Sequence, residues 1–467
     1  MKFGIFNTLV LATTAAASSC TLIDGMYYCD QVNQIQFEGI GFSGSYNRIT
    51  SMPLTGLCSS EPFAFSGALS PVDEELSLHF RGPLHLYQFA AYTLSSSSTS
   101  ARKKRDSTHH SHKQRRNALK KREPAIVTHV VEQTIWVTVD EYGNLFTLYP
   151  STTSSETSST DTPTSTAVIT LTSTAGVTAG LASSSAAGNA VGQNNNQISL
   201  ATTVAASSST ATQSSEAASS TASTSPSTGD WTRIGYYDSA SGTSNGLVFL
   251  NNLGGSGSGV FDFVYGNSLS YAAADGVSAA ASPQILSDMT LPSNKEIIIF
   301  TDNECSGDDC GFYRPGIPAY HGFNGANKIF LFEFEMPTDT GFPGFNFDMP
   351  AIWSLNAQIP RTLQYGLAQC SCWTSGCGEF DFFEVLSAGN NKCVSTLHTK
   401  QNGAGAGSAD YFARPTDGKI KAAVIFADGV VTLTTLDSSV DFSAALDDAT
   451  IQSWIAATSG SSTVVSL

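Results

Sequence analysis

The segment GEFDFFEVL (residues 378–386) alternates acidic and aromatic side chains, a pattern typical of a β-strand with one polar and one apolar face. Side chains of a β-strand point to opposite faces with a period of two, so Glu379 and Asp381 share one face. Glu384 would fall on the opposite face of a regular strand. A one-residue β-bulge between Asp381 and Glu384 would return it to the face of the other two acids, and bulges are common beside active sites. The segment therefore predicts a strand that carries three carboxylates along one groove.

Further strand-like segments flank this one on both sides. They are rich in β-branched and aromatic residues and are separated by Gly, Asn and Asp: EIIIF (296–300), KIFLFEFEM (328–336) and AAVIFADGVVTLTTL (422–436). The last contains Asp428-Gly429, a hairpin signal, and helical periodicity is nearly absent apart from 443–456. We therefore expect residues 230–467 to form one all-β domain, a β-sandwich or jelly roll of antiparallel strands.

The chain before this domain contains segments of different character. Residues 18–94 are expected to form a small glycine-rich β module with strands at LSLHF and LYQFAAYTL, and residues 124–150 a short β segment with a hairpin turn at Tyr142-Gly143-Asn144. Residues 95–123 are a basic linker whose dibasic clusters are possible processing sites. Residues 151–229 consist mainly of Ser, Thr and Ala, which predicts a disordered, O-glycosylated linker.

The N-terminus and the cysteines indicate secretion. Residues 1–17 combine Lys2, a short apolar run and a small-residue cleavage site, as in a secretory signal peptide. No later apolar run is long enough to span a membrane. Nine cysteines fit an oxidising compartment. Three lie early, at 20, 29 and 58, and the six between 305 and 393 could close three disulfides among themselves. The odd early cysteine has no assigned partner.

We expect neither a metal nor a cofactor. Cys370, Cys372 and Cys377 could bind zinc, but no paired His lies near them in the sequence. The acidic loop 302–309 could hold calcium through its oxygen ligands, yet it lacks EF-hand spacing. A disulfide between Cys305 and Cys310 that closes this loop is the favoured interpretation.

The charge of the chain restricts its partners. The net charge is −16, from 23 Lys and Arg against 39 Asp and Glu, and ten of the basic residues lie within 101–123. A nucleic-acid-binding protein needs a basic face, which the rest of this chain lacks. Anionic substrates are disfavoured for the same reason, so a neutral substrate fits best.

The three crowded acids of the 378–386 segment point to catalysis. Crowding raises the pKa of at least one carboxyl group, as a general acid requires. Two carboxylates about 5–5.5 Å apart are the arrangement of a retaining glycosidase. The alternative is an acidic edge strand whose phenylalanines only pack the core, but three acids on one face would then repel each other without a purpose.

The same segment resembles the Glu-x-Asp-x-x-Glu signature of glycoside hydrolase family 16, which includes laminarinases, lichenases and fungal wall transglycosidases. Upstream, DMPAIWSLN (348–356) resembles that family's Pro-Ala-x-Trp strand, and STLH (395–398) resembles the strand after the catalytic one. The chain as a whole is similar to the fungal "target of SBF" cell-wall proteins, including its segment from Pro62 to Thr93. The cysteine-rich insert QYGLAQCSCWTSGCG (364–378) departs from common laminarinases and puts substrate preference in doubt.

This resemblance implies a concanavalin-like jelly roll and assigns roles to residues. Glu379 would be the nucleophile, Glu384 the general acid/base, and Asp381 would tune the nucleophile. The residues that would bind substrate are Trp353, which could equally be a core residue, Trp373 and His398.

The resemblance also implies a function. The chain would be a secreted, monomeric protein of the fungal cell wall that cleaves β-1,3-glucan as a retaining, endo-acting hydrolase. One alternative is a glucan transglycosylase that uses the same residues. Another is a non-catalytic glucan-binding or structural wall protein.

Overall fold

The computed structural model describes residues 20–95, 136–139, 145–148, 230–400, 403–456 and 461–467. The expected signal peptide (1–17), the basic linker from residue 96 onward and the Ser/Thr-rich linker (151–229) lie outside the described residues. The strands at 136–139 and 145–148 belong to a separate unit of the chain, and all other described residues belong to one unit. No helix in the described part of the chain is long and apolar enough to cross a membrane.

The described residues are mostly β-structure. The strands, in chain order, are β1 Thr21–Ile23, β2 Met26–Tyr28, β3 Gln34–Glu38, β4 Gly44–Ser51, β5 Ser59–Phe65, β6 Leu76–Arg81, β7 Leu84–Leu94, β8 Trp136–Val139, β9 Leu145–Leu148, β10 Trp231–Asp238, β11 Thr243–Asn245, β12 Leu247–Asn251, β13 Phe261–Asp262, β14 Gly266–Asn267, β15 Ser270–Ala272, β16 Ala279–Ala280, β17 Thr290–Leu291, β18 Glu296–Thr301, β19 Lys328–Glu335, β20 Ala351–Asn356, β21 Glu379–Glu384, β22 Lys392–His398, β23 Gly405–Gly407, β24 Phe412–Ala413, β25 Ile420–Ala427, β26 Val430–Leu436, β27 Ala445–Leu446 and β28 Ser462–Ser466. The α-helices are α1 Gln358–Thr362 and α2 Asp448–Ala456, and 3₁₀ turns cover Ala368–Cys370 and Trp373–Ser375.

Two large sheets form the fold, as the all-β expectation requires. The acid sheet, named for β21, has the order β16-β15-β12-β18-β6-β20-β21-β22-β23, with β24 paired to β22. The second sheet has the order β11-β10-β7-β19-β25-β26-β3-β28, with β17 on β7 and β27 on β10. Their named strand pairs are antiparallel except β3 with β28, which is parallel.

Phenylalanine side chains from both sheets pack in one core. The ring centroids of Phe332 in the second sheet and Phe382 in the acid sheet are 6.4 Å apart, and those of Phe37 and Phe380 are 4.8 Å apart. The core therefore occupies the face of β21 that carries aromatic residues and leaves its acids on the other face.

The strand predictions agree with this arrangement. EIIIF, KIFLFEFEM and GEFDFFEVL correspond to β18, β19 and β21, and LSLHF and LYQFAAYTL to β6 and β7. The hairpin predicted at Asp428-Gly429 is confirmed, since β25 pairs with β26 and both turn residues have positive φ, +52° and +82°. The hairpin predicted within 124–150 is also confirmed, because β8 pairs with β9.

Residues 20–95 take part in both large sheets. Strand β6 lies between β18 and β20 in the acid sheet, and β7 lies between β10 and β19 in the second sheet. Strand β3 lies between β26 and β28. The segments 18–94 and 230–467 therefore contribute strands to the same two sheets, although a long stretch of sequence separates them.

Two expectations from sequence need correction. The helical pattern at 443–456 yields a helix only from Asp448, because Ala445 and Leu446 pair with Trp231 and Thr232 as a strand. The six late cysteines do not form three disulfides among themselves.

The disulfides instead join distant parts of the chain. The pairs are Cys20–Cys29, Cys58–Cys370, Cys305–Cys310 and Cys372–Cys377, and Cys393 is a buried free thiol. The early cysteine without an assigned partner is Cys58, which the tertiary fold brings to Cys370. The disulfide that closes the 302–310 loop is confirmed, and the three cysteines considered for zinc are all oxidised.

Candidate active site

The three acids of strand β21 lie on one face because the strand contains a bulge. Trp353 on β20 is opposite Asp381 and Ile352 is opposite Phe383, so Phe382 is the extra residue. The register against β22 shifts over the same step, between Asp381 and Glu384. The predicted bulge is thus confirmed, and it returns Glu384 to the face that carries Glu379 and Asp381.

Glu379 is held by a tryptophan from the cysteine-rich insert. The indole Nε1 of Trp373 donates to Glu379 Oε2 at 2.5 Å. Trp373 begins a 3₁₀ turn inside the ring closed by Cys372 and Cys377. Burial raises the pKa of Glu379, and the hydrogen bond from Trp373 opposes this rise by favouring the ionised form.

The buried Asp381 and the partly exposed His398 form an acid–imidazole pair. His398 Nε2 lies 3.1 Å from Asp381 Oδ2, and Nδ1 lies 2.6 Å from the backbone oxygen of Gly403, to which it can only donate. Burial and the nearby charge of Glu384 raise the pKa of Asp381 well above its usual range. Burial lowers the pKa of His398, but the hydrogen bond and charge of Asp381 outweigh it and raise the pKa to about 9. The pair therefore retains a proton at neutral pH.

Glu384 is held by an arginine from the N-terminal part of the chain. Arg81 on β6 places Nη2 3.2 Å from Glu384 Oε1 and donates from Nε to the backbone oxygen of Met349 at 2.7 Å. Sequence reasoning missed Arg81 because it treated residues 18–94 as a module apart from the acids. A signal was present, since Ser77, His79 and Arg81 alternate with apolar residues and must share the polar face of their strand.

The Trp353 side chain is buried beside the acids rather than exposed to solvent. It is 6% exposed, and its ring is stacked on that of His79 with centroids 5.1 Å apart. His79 is fully buried, and its Nδ1 is 2.7 Å from Glu296 Oε1. Burial lowers the pKa of His79, so this ring is neutral beside the carboxylate of Glu296.

Tyr365 offers a more exposed aromatic ring near these residues. It is 59% exposed, and its hydroxyl donates to Glu296 Oε2 at 2.7 Å. Sequence reasoning quoted this residue within the cysteine-rich insert without assigning it a role.

The β4–β5 hairpin packs against Trp353 and the loop closed by Cys372 and Cys377. Side chains of the hairpin, including Tyr46 and Phe65, form one buried cluster with Trp353, Cys372 and Cys377. The Cys58–Cys370 disulfide fixes the hairpin to the insert.

The face of β21 that carries the acids presents two carboxylates, Glu379 and Glu384, on either side of the protonated Asp381–His398 pair. Glu379 accepts from a neutral indole and Glu384 faces a guanidinium, so the two acids have distinct environments.

Within the described ranges, Cys305, Asp309, Cys310 and His321 are close enough to hold one metal ion. Cys305 and Cys310 are bonded to each other, which removes their thiolates as ligands.

Comparison with known proteins gives consistent matches over nearly the whole chain. Residues 33–94 match the family described as "Cell wall protein YJL171C/Tos1, N-terminal", and residues 229–454 match its C-terminal counterpart. No solved structure was found to match the chain.

Three curated relatives carry closely similar names. The "Probable circularly permuted 1,3-beta-glucanase TOS1" of Candida albicans is 43% identical over 97% of this chain and 98% of its own length. The protein of the same name in Saccharomyces cerevisiae is 43% identical over 98% and 97%. A probable circularly permuted 1,3-beta-glucanase of Schizosaccharomyces pombe is 47% identical over 94% of each chain.

All three relatives exceed 40% identity over at least 94% of their own length, and the family matches cover both large parts of this sequence. The chain therefore belongs to the Cell wall protein YJL171C/Tos1 family.

Proposed function

We propose that this protein is a secreted glycoside hydrolase of the fungal cell wall that cleaves β-1,3-glucan internally with retention of anomeric configuration. The observation that carries the proposal is the bulge at Phe382, since it gathers Glu379, Asp381 and Glu384 on one face. A binding protein for a neutral polymer has no need of three crowded acids. The relatives named as probable 1,3-beta-glucanases support the choice of substrate.

The proposed mechanism uses the two glutamates in different roles. Glu384 protonates the oxygen of the leaving sugar while the ionised carboxylate of Glu379 attacks the anomeric carbon and forms a glycosyl-enzyme. Glu384 then takes a proton from a water molecule that displaces Glu379. The proton that Asp381 shares with His398 offsets the charge of Asp381, so the pair adds no third negative charge beside the two glutamates.

We further propose a concanavalin-like jelly roll related to glycoside hydrolase family 16, in circularly permuted form. The word "permuted" in the relatives' names fits the central positions of β6 and β7, which come from the N-terminal part of the chain. The segments 18–94 and 230–467 would then be two pieces of one catalytic domain joined by the intervening linkers. Trp353, Trp373 and His398 are proposed to contact or orient the substrate.

The test uses the full secreted chain and its Glu379→Gln and Glu384→Gln variants with defined β-1,3-gluco-oligosaccharides. Product lengths are followed by mass spectrometry, and the anomer first formed by NMR. We expect shorter products with the β-anomer first from the native chain, and a loss of about 10³-fold or more in each variant, as for other covalent catalysts. Glu335→Gln, an acid on the second sheet outside this site, is the matched control.

The same experiment separates the alternatives. Longer products, lost in the Glu379→Gln variant, would assign transglycosylation with the same residues. Unchanged oligosaccharides that nevertheless bind equally to the native chain and both variants would favour a non-catalytic glucan-binding protein.

A further inference from the structure

A buried ion pair links three segments beside the first residues of β20. Arg414 and Asp348 are 5% and 1% exposed, and Nη2 of Arg414 donates to Oδ1 of Asp348. The guanidinium also donates to three backbone oxygens, from Nε to Met336 at 2.9 Å, from Nη1 to Asn390 at 3.1 Å and from Nη2 to Pro337 at 2.6 Å. The pair thus joins the segment after β19, the segment before β20 and the turn between β21 and β22.

The pocket around Asp348 requires a carboxylate. Besides the bond from Arg414, Oδ1 accepts from the backbone N–H of Asp339 at 3.0 Å, and Oδ2 accepts from that of Gly389 at 2.9 Å. The N–H of Asp348 itself donates to Ser293 Oγ at 3.1 Å. An amide of the same shape has a single acceptor oxygen and would turn an N–H group toward one of these donors.

The backbone of Asp348 has an unusual conformation. Its φ is +51°, in the left-handed region that costs free energy for residues other than Gly, although Asn and Asp tolerate it best. Such a conformation persists where the surrounding contacts impose it. Met349 follows Asp348 and precedes β20, which begins at Ala351, so the strand ladder does not fix its carbonyl group. The contacts of Asp348 therefore set the direction of this carbonyl.

The carbonyl of Met349 is the anchor of Arg81. Arg81 donates to it from Nε at 2.7 Å, and its Nη2 lies 3.2 Å from Glu384 Oε1. Because the guanidinium is planar and rigid, fixing its Nε also fixes the direction in which Nη2 points. A displaced Met349 carbonyl would therefore shift Arg81 relative to Glu384.

The geometry of the Arg414–Asp348 pair distinguishes it from a pair that only adds stability. Buried ion pairs are often no more stabilising than well-packed apolar residues of similar volume. This pair, however, bonds to backbone groups of all three segments around Met349, which apolar side chains could not hold in one direction.

We propose that Asp348 and Arg414 are positioning residues for Glu384, because they fix the Met349 carbonyl that holds Arg81 against it. The catalytic consequence rests on the proposed function, in which Glu384 is the general acid/base. The orientation of Arg81 rests on these contacts alone, so the two can be tested separately.

The first test measures the orientation of Arg81 without reference to activity. The full chain is labelled with ¹⁵N-arginine, and NMR follows the exchange of the Arg81 Nε–H with solvent, its signal assigned by its loss in Arg81→Lys. Loss of the hydrogen bond to Met349 in Asp348→Asn should speed this exchange by about tenfold. The variant that combines Asp348→Asn with Arg414→Met should do the same, and it avoids leaving a buried guanidinium unpaired.

The matched control is Asp262→Asn. Asp262 also pairs with a buried arginine, since Arg314 Nη2 lies 2.6 Å from its Oδ2, and it also accepts from two backbone N–H groups, those of Val264 and Tyr265. It lies on β13, outside the acid sheet. The exchange of the Arg81 Nε–H should be unchanged in this variant.

The second test measures kcat and KM on β-1,3-gluco-oligosaccharides. We expect Asp348→Asn to lower kcat by about tenfold and to leave KM within about twofold, as for a misplaced catalytic group. If Asp348 acts through Arg81, adding Asp348→Asn to Arg81→Met should lower kcat by no more than about a further factor of two. Asp262→Asn should keep the native kcat.

Two results would overturn the proposal. One is an Arg81 Nε–H that exchanges equally slowly in the native chain and in both variants that contain Asp348→Asn. The other is a kcat in the Arg81→Met, Asp348→Asn double variant that equals the product of the two single losses. Absence of hydrolysis by the native chain would contradict the proposed function instead, and faster Arg81 exchange in Asp348→Asn would still support the positioning.

Discussion

The proton that Asp381 and His398 share should affect how the unfolding free energy changes with pH. Both pKa values are raised in the folded chain, that of His398 to about 9, so the folded state binds more protons than the unfolded state. Stability must then fall as pH rises. The contribution of His398 is complete below the ordinary histidine pKa of about 6.5 and is lost as the pH rises through about 9.

We therefore expect His398→Gln to flatten the decrease of the unfolding free energy between pH 6.5 and pH 9. Urea unfolding across this range measures the slope, and His85→Gln, a histidine outside the site, is the control. The assignment fails if the native chain and His398→Gln lose stability in parallel.

Arg81 should matter to the chemistry although it lies 303 residues before Glu384 in the sequence. Its guanidinium faces Glu384 and is anchored on the backbone of Met349, so it positions the carboxylate. We expect Arg81→Met to lower kcat by about 10²-fold with little change in KM, as for a misplaced catalytic group. Arg81→Lys should recover part of this loss because it keeps the charge.

The control for this prediction is Lys295→Met, which removes an exposed cation one residue before β18. Thermal unfolding of all variants separates misfolding from mispositioning. If Arg81→Met keeps full activity in a folded protein, the contact with Glu384 has no catalytic value.

At the scale of elements, the β4–β5 hairpin is tied to the cysteine-rich insert by one disulfide. Cys58–Cys370 spans 312 residues, whereas Cys305–Cys310 spans five. Cross-links over long loops remove more entropy from the unfolded chain. Replacing both Cys58 and Cys370 by Ser is expected to lower the unfolding free energy by about 2–4 kcal/mol.

Calorimetric or urea unfolding measures this change. Replacing both Cys305 and Cys310 is the matched control and should cost less. A larger loss of unfolding free energy for Cys305–Cys310 than for Cys58–Cys370 would show that strain or local packing, rather than loop length, sets the stability that each disulfide contributes.

The bulge in β21 illustrates what an element-scale pattern can predict. Two of the three acids share a face by simple alternation, and only an irregular step could add Glu384 to them. The sequence therefore predicted that a bulge brings Glu384 to the face of Glu379 and Asp381. The identity of the extra residue, Phe382, follows from the register against β20, where Ile352 pairs with Phe383 and Trp353 pairs with Asp381.

At the scale of the whole molecule, residues 20–95 are indispensable to the fold that contains the acids. Strands β6 and β7 occupy interior positions of the two sheets, so their removal would expose unpaired strand edges on both sides. We expect residues 230–467 expressed alone to lack fixed tertiary structure, with weak near-ultraviolet circular dichroism and little protection from hydrogen exchange. Coexpression with residues 20–95 should restore both signals.

Cleavage between the two parts should have a different result. A chain cut by a specific protease at a site introduced within 102–122 should stay together in size-exclusion chromatography, because the sheets and Cys58–Cys370 still hold it. The two pieces should separate on a denaturing gel only after reduction. Dissociation of the cut chain without reduction would contradict the Cys58–Cys370 disulfide.

The β-character of the chain could be predicted from the sequence, as could most of the long strands and the three acids with their bulge. These properties follow from short-range patterns, because alternation, turn residues and charge crowding are visible within ten residues. The positions of the strands in the sheets were not visible in this way. Only the tertiary structure brought Arg81 to Glu384 and Cys58 to Cys370, because strand pairing between distant segments depends on the packing of the whole core.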